Sequence, residues 1–402
     1  MDGKRVPAWS VYAVVLACLA LGAALTASVD LEALRTQPAA PRTGWELKLP
    51  VNRWIEMPVT LGPAPPFRWS HSGSVYDQSR DSLILFGADE HLVSFDNAIY
   101  ELRLRDLRWI GHQPPSPPYA MRTDAKGRRV AGLQQLQPWP MHIYDAMIYD
   151  LSADSVMVFS GAKHSFVPAP GAQTDPAWTY ALENRQWRMA PELQDGLPNF
   201  FAAGAVYDPL RNTVIAYSST AVATPFVRLG GEDELPRIGV WELGPDRREW
   251  QLATSETHHW GWFNAEFDSR HGVMLVFGRP LGAGDVWVYK PGSVPGQRGE
   301  WQRRSPGGDL CPAGGGHYFP AAYDSSRGMT LVLPPDVAGW RNITCLYDYG
   351  RDRWLRIEGA DLPPLEINYT LVYSPKLDVF VLVSGSFFES EPTRVWALRL
   401  GR

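Results

Sequence analysis

The segment Gly73–Gly87, GSVYDQSRDSLILFG, decides the fold, because it recurs five more times along the chain. Its counterparts are AMIYDLSADSVMVFSG from Ala146, GAVYDPLRNTVIAYS from Gly204, NAEFDSRHGVMLVFG from Asn264, AAYDSSRGMTLVLP from Ala321 and TLVYSPKLDVFVLVSG from Thr370. Each reads as an apolar strand, a tight turn and a second apolar strand. The turn residues Asp77, Asp150, Asp208, Asp268, Asp324 and Ser374 are 50 to 73 residues apart. That spacing fits a four-stranded propeller blade with variable loops, and six units predict six blades.

The second half of the unit repeats as well. An aromatic residue, one spacer, then Leu or Tyr gives Tyr100/Leu102, Tyr180/Leu182, Trp241/Leu243, Trp287/Tyr289, Tyr347/Tyr349 and Trp396/Leu398, read as a third strand. Trp109, Trp187, Trp250, Trp301 and Trp354 follow in five units and mark an outer fourth strand. The sixth unit runs to Arg402 without one. Trp54, in WELKLPVNRWIEMP, is expected to supply it, so that an N-terminal strand closes the ring and no sheet edge stays open. The turn Asp residues are expected to accept nearby backbone N–H bonds, and the repeated Trp and Tyr to fill the wedge between blades.

These motifs resemble the kelch repeat, in which a strand ends in FGG, a Tyr follows in the next strand and a Trp after that. The resemblance covers nearly all of residues 45–402, with the Gly-Gly doublet reduced to FGA, FSGA, YSS, FGR, LPP and VSGS. It implies an all-β, six-bladed kelch-like β-propeller. Kelch propellers include the copper-radical galactose and glyoxal oxidases, with Tyr and His ligands and a Cys-crosslinked Tyr at the mouth. His317, Tyr318 and Cys311 loosely match that set, but the ligand motifs do not align in order. A periplasmic sialic-acid mutarotase is a second kelch-like precedent, similar in blade count and export.

Composition removes other classes. The 402 residues carry 43 acidic against 38 basic side chains, a net charge of −5, so nothing marks a nucleic-acid partner. Three Cys in such a length cannot build a disulfide scaffold and show no C-x-x-C spacing for structural zinc. No hydrolase or nucleotide signature occurs, and no cofactor is expected from motifs.

Residues 6–29 lack charge and follow Lys4 and Arg5, the pattern of a signal-anchor or a signal peptide. Residues 1–29 are therefore expected to form one N-terminal hydrophobic helix, oriented with its N-terminus in the cytoplasm if it is retained as an anchor. Residues 30–44 would be a tether, and residues 45–402 an extracytoplasmic domain, periplasmic or extracellular.

The upper face of the propeller is taken as the side where chains enter the innermost strands and where second and third strands connect. Seven of the nine His fall there: His71, His91, His142, His164, His258, His259 and His317. His71, His142, His259 and His317 precede innermost strands, where imidazoles converging on the axis could hold a metal ion or serve as acid and base. Equally, they could be hydrogen-bonded loop residues. Trp69, Trp139, Trp260, Trp262 and Trp340 share the same segments, as a stacking platform for a sugar or as plugs of the channel. The candidate ligand set is His71, His142, Tyr144, Asp145, His258, His259, Trp260, Trp262, Asn264, His317, Tyr318, Asn368 and Tyr369. The connection 110–143, with PPSPP and KGRR, could fold over the mouth as a lid or equally be a disordered excursion. Cys311 and Cys345 should lie near one end of blade five, and in an exported domain they are expected to pair.

The function expected is an exported, membrane-anchored module that binds a glycan, small ligand or protein partner through its upper face. The alternative is a metal-dependent or acid–base enzyme on a sugar or small alcohol, galactose-oxidase-like or mutarotase-like, at the channel mouth.

Overall fold

The computed structural model describes residues 44–59, 62, 71–87, 96–133, 135–158, 177–189, 203–218, 238–258, 263–278, 284–311, 319–336, 341–365, 368–385 and 393–401. The hydrophobic segment 1–29 and residues 30–43 of the tether lie outside them. Among the described residues the helices are two 3-10 turns, Trp45–Lys48 and Pro118–Ala120, and no helix is long and apolar enough to cross a membrane.

Six antiparallel sheets form a six-bladed propeller. The innermost strands of blades one to six are Gly73–Asp77, Met147–Asp150, Gly204–Asp208, Asn264–Asp268, Ala321–Asp324 and Leu371–Ser374. Each neighbours the next, and the sixth returns to the first. The outermost strands are Arg108–Gly111, Gln186–Met189, Trp250–Thr254, Glu300–Arg304, Arg353–Arg356 and Trp54–Glu56. The last of these is the closing strand expected from the sequence. It pairs antiparallel with Arg394–Leu398, Trp54 opposite Leu398 and Glu56 opposite Trp396. Blade five carries one addition, Gly307–Gly308, parallel to its outer strand.

The core is six apolar wedges, one between each pair of adjacent blades. Each outer-strand Trp reaches the preceding blade. Trp109 packs with Val379 and Val381 of blade six, Trp187 with Ile84 and Phe86 of blade one, and Trp250 with Ile148 and Met157 of blade two. Trp354 packs with Phe277 of blade four and Trp54 with Leu331 and Leu346 of blade five, while the half-buried Trp301 lies 4.9 Å from the Tyr217 ring of blade three. A wide flat side chain at the rim fills a space that grows with distance from the axis.

The buried turn acids behave as the sequence predicts. Asp77 Oδ1 accepts from the N–H groups of Ser79 and Arg80, and Asp150, Asp208, Asp268 and Asp324 repeat this two and three residues on. Ser374 Oγ accepts from Leu377 N–H in the sixth blade. An Arg three residues after the acid ties three of the turns, through Asp77–Arg80, Asp208–Arg211 and Asp324–Arg327. Arg80 also grips Asp154 of blade two, and Ser374 Oγ donates to Asp81 of blade one. Their carboxylates are thus committed to the lower face.

The connection 110–143 is neither a lid nor an excursion. It forms a small hairpin, Arg122–Thr123 with Arg129–Val130, and buries Met121, Val130, Trp139 and Met141 in the wedge between blades one and two. Cys311 and Cys345 are joined in a disulfide with Cα atoms 6.1 Å apart.

Trp54→Ala should lower stability by about 3–5 kcal/mol, as expected for a buried Trp, and it also removes the bond to Thr344 Oγ1 at 2.9 Å. Leu310→Ser, at a side chain 75% exposed, should change it by less than about 0.5 kcal/mol. Urea unfolding compares the two. Replacing Cys311 and Cys345 together by Ser opens a loop of sequence separation 34 and should cost about 3–4 kcal/mol in the same assay.

Candidate functional site

The polar cluster begins where chains turn into the innermost strands. His71 O accepts from both Ile143 N–H, at 2.8 Å, and Tyr144 N–H, at 2.9 Å, which ties the entry of blade one to that of blade two. His71 and Tyr144 do this at φ of 68° and 50°. Left-handed backbone is costly for side chains of this size, so the surrounding contacts must hold it in place. Gly73 makes the close approach possible: a Cβ there would lie 2.4 Å from Ile143 Cγ2.

The rings then pack on one another. His71 and His142 stack with centroids 3.9 Å apart and planes 8° from parallel. Tyr144 stands edge-on to both, and its hydroxyl lies 3.0 Å from His142 Nδ1. Tyr369, from the entry of blade six, meets Tyr144 edge-on at 5.6 Å. All four are buried. This geometry corrects the expected metal set in one respect. An imidazole lone pair lies in its ring plane, so two stacked rings cannot both aim at one ion at about 2 Å. His71 and His142 do not share a metal in this arrangement. The other two members, His259 and His317, lie outside the described residues.

Beside this wall lies an acidic group. Asp145 follows Tyr144; its O accepts from Ala205 N–H of blade three and its Oδ2 from Ala265 N–H of blade four, at 2.9 and 2.6 Å. Glu266, next in blade four, accepts at Oε2 from Tyr323 N–H of blade five, at 3.2 Å. Both acids are half-buried by accessible surface, yet protein encloses them closely enough to solvate charge poorly. Burial, reinforced by the nearby Glu266 charge, holds the Asp145 carboxyl well above its ordinary range despite the Ala265 N–H. Burial likewise pushes Glu266 up to about 8, with Tyr323 N–H pulling the other way. Neither has a cationic partner among the described residues. Asn264, two residues before Glu266, is 2% exposed, and its Oδ1 has no hydrogen-bond partner among the described residues.

Not every candidate joins this group. His258 stacks on Trp287 at 3.7 Å and lies 3.1 Å from Glu256 Oε1, out along blade four. Asn368 is spent on structure: its Nδ2 donates to Val383 O and its Oδ1 accepts from Thr370. Trp139 is core and donates to Val130 O. Trp69, His91, His164, Trp260, Trp262, Tyr318 and Trp340 lie outside the described residues, with His259 and His317. Two clefts of about 450 and 560 Å³ sit between blades one and two and between blades five and six, beside the lower turns.

Glu266 is absent from the sequence-based set, although the repeat marks it. The residue two before the turn acid is Val75, Ile148, Val206, Ala322 or Val372 in the other five blades, and an ionisable Glu in the fourth.

No family model matches the chain, and no curated protein matches it. Among solved structures it is similar to a protein described as a novel fungal alcohol oxidase with catalytic diversity among the AA5 family, in complex with copper. The two are 12% identical, the match covers 81% of this chain and 62% of that one, and the TM-score is 0.42. The chain thus spans less than two thirds of that protein's length. A likeness this distant carries no argument about a site or a reaction.

A carboxyl raised by folding binds a proton in the native state that the unfolded chain has lost, so its contribution weakens as pH rises. For Glu266 the window runs from about 4.5 to about 8. Glu266→Gln should therefore flatten the decline in stability across that window and stabilise the protein at pH 8, on the order of 3 kcal/mol. Urea unfolding at pH 5 and pH 8 measures both.

Proposed function

We propose that this propeller is a binding module, exported and anchored through residues 6–29, that takes a small ligand such as a glycan unit at the mouth of its central channel. The reading is supported above all by one observation. His71, His142, Tyr144, Asp145 and Tyr369 come together from blades one, two and six, although almost three hundred residues separate the first from the last. A fold needs no such group in its centre. Polar rings and an enclosed carboxyl cost desolvation there, and two of the residues carry strained backbone. Ligand sites have this composition: aromatic surface for contact, with a few convergent polar groups to set orientation. The metal-dependent form of the enzyme alternative draws no support from the stacked pair, which cannot supply two ligands to one metal.

The test is a screen of the full chain against a glycan array and a small-molecule library, followed by titration of any ligand found. Tyr144→Phe and His142→Gln should each weaken that ligand about ten-fold or more while the protein stays folded, the loss expected for one buried hydrogen-bonding group. A ligand whose affinity is the same in both variants binds elsewhere and removes the assignment. Chemical conversion of the bound ligand would instead favour the enzyme alternative.

A further inference from the structure

Two stretches of blades five and six carry the Asn-x-Ser/Thr pattern of an N-glycosylation acceptor: Asn342-Ile343-Thr344 and Asn368-Tyr369-Thr370. An acceptor of this kind belongs on a surface loop. Here the two asparagines are 5% and 1% exposed, and both threonines are fully buried. Asn342 Nδ2 donates to Leu333 O at 2.6 Å, its Oδ1 accepts from Leu365 N–H at 2.9 Å, and its backbone exchanges two hydrogen bonds with Leu362. One residue thereby joins the chain at Leu333 to residues 362–365. Thr344 Oγ1 donates to Ala360 O and accepts from Trp54 Nε1–H of the closing strand. Asn368 repeats the arrangement ahead of the innermost strand of blade six. Its Nδ2 donates to Val383 O at 3.0 Å, its Oδ1 accepts from Thr370 N–H at 2.8 Å, and Thr370 Oγ1 lies 2.5 Å from the same carbonyl.

We infer that both patterns serve the fold, and that a glycan on either asparagine and the native propeller exclude one another. The pattern has a structural origin, because the amide and the hydroxyl two residues on satisfy buried carbonyls: Leu333 and Ala360 in blade five, Val383 in blade six. Glycan transfer would form a bond from Nδ2 to the anomeric carbon of the sugar as that carbon's bond to the donor's lipid pyrophosphate breaks. The pyrophosphate leaves with the bonding electrons, and the displaced Nδ2 proton goes to a base of the transferase. In the native fold the nitrogen that must carry the sugar is packed inside protein. A sugar is polar on every side, so it needs a solvated path outward, and opening one would strip these carbonyls of their donors. Asn342 and Asn368 are therefore acceptors only in the unfolded chain, and occupancy at either marks a chain that has not folded. The inference is independent of what the channel mouth binds.

The experiment exports the full chain from a eukaryotic host that modifies Asn-x-Ser/Thr, with Gln186→Thr as an internal control. That substitution completes an acceptor at Asn184, in an exposed turn. Native monomer is separated from aggregated or retained chain, and peptide mass spectrometry reads the occupancy of each asparagine in both fractions. The expected result in the native monomer is a glycosylated Asn184 beside unmodified Asn342 and Asn368. A second chain adds Trp54→Ala and Leu382→Asp, which empty and charge the wedge between blades five and six and so prevent folding. In it, modification should appear at Asn342 and Asn368 as well as at Asn184. A native monomer with an unchanged urea midpoint and a glycan on Asn342 or Asn368 overturns the inference. So does an unfolded chain that is modified at Asn184 and bare at the other two, because the fold would then not be what shields them.

Discussion

The whole architecture depends on the pairing of Trp54–Glu56 with Arg394–Leu398, because those residues come from opposite ends of the described chain. Without that strand the sixth sheet ends at an open edge, and the wedge between blades five and six loses Trp54. A propeller is a ring of wedges, and each wedge is packed by an outer-strand Trp of the next blade. Removing one element of a ring releases every angular relation that the ring imposes. Closure therefore does more than cover an edge. It fixes where the six innermost strands begin.

That positioning divides the labour between two faces. Below, the turn acids and their Arg partners lace adjacent hairpins together, with Arg80 reaching Asp154 and Ser374 reaching Asp81. The turn acids and their Arg partners there serve structure. Above, the same strands begin with residues whose conformations are costly and whose side chains have no counterpart in the repeat. His71, Tyr144, Asp145 and Glu266 are held in place by bonds that cross from blade to blade, so the rigidity of the ring becomes the preorganisation of the mouth.

What the sequence reveals follows from what repeats. Strand pairs, turn acids, rim Trp residues and the closing strand each serve the same contact six times or nearly so, and a period exposes them. The disulfide follows from the placement of Cys311 and Cys345 at one end of one blade. The mouth does not repeat, and only its neighbourhood could be named. That His71 and His142 would stack rather than converge depends on the left-handed backbone at His71 and Tyr144, which no spacing encodes. The length of the 110–143 connection and its PPSPP and KGRR suggest a lid or an excursion, yet Met121, Val130 and Trp139 anchor it in a wedge. Glu266 is an acid in a column of Val, Ile and Ala, a departure from the repeat that the shared pattern does not mark.

The claim on which the functional account turns is that the channel mouth is an enclosed polar site and not a solvated opening. Direct titration of the Glu266 side-chain carboxyl by 13C NMR in the full chain tests it. An enclosed site predicts a midpoint near 8. A midpoint near the ordinary 4.5 would mean that water solvates the carboxylate freely, which would contradict the account.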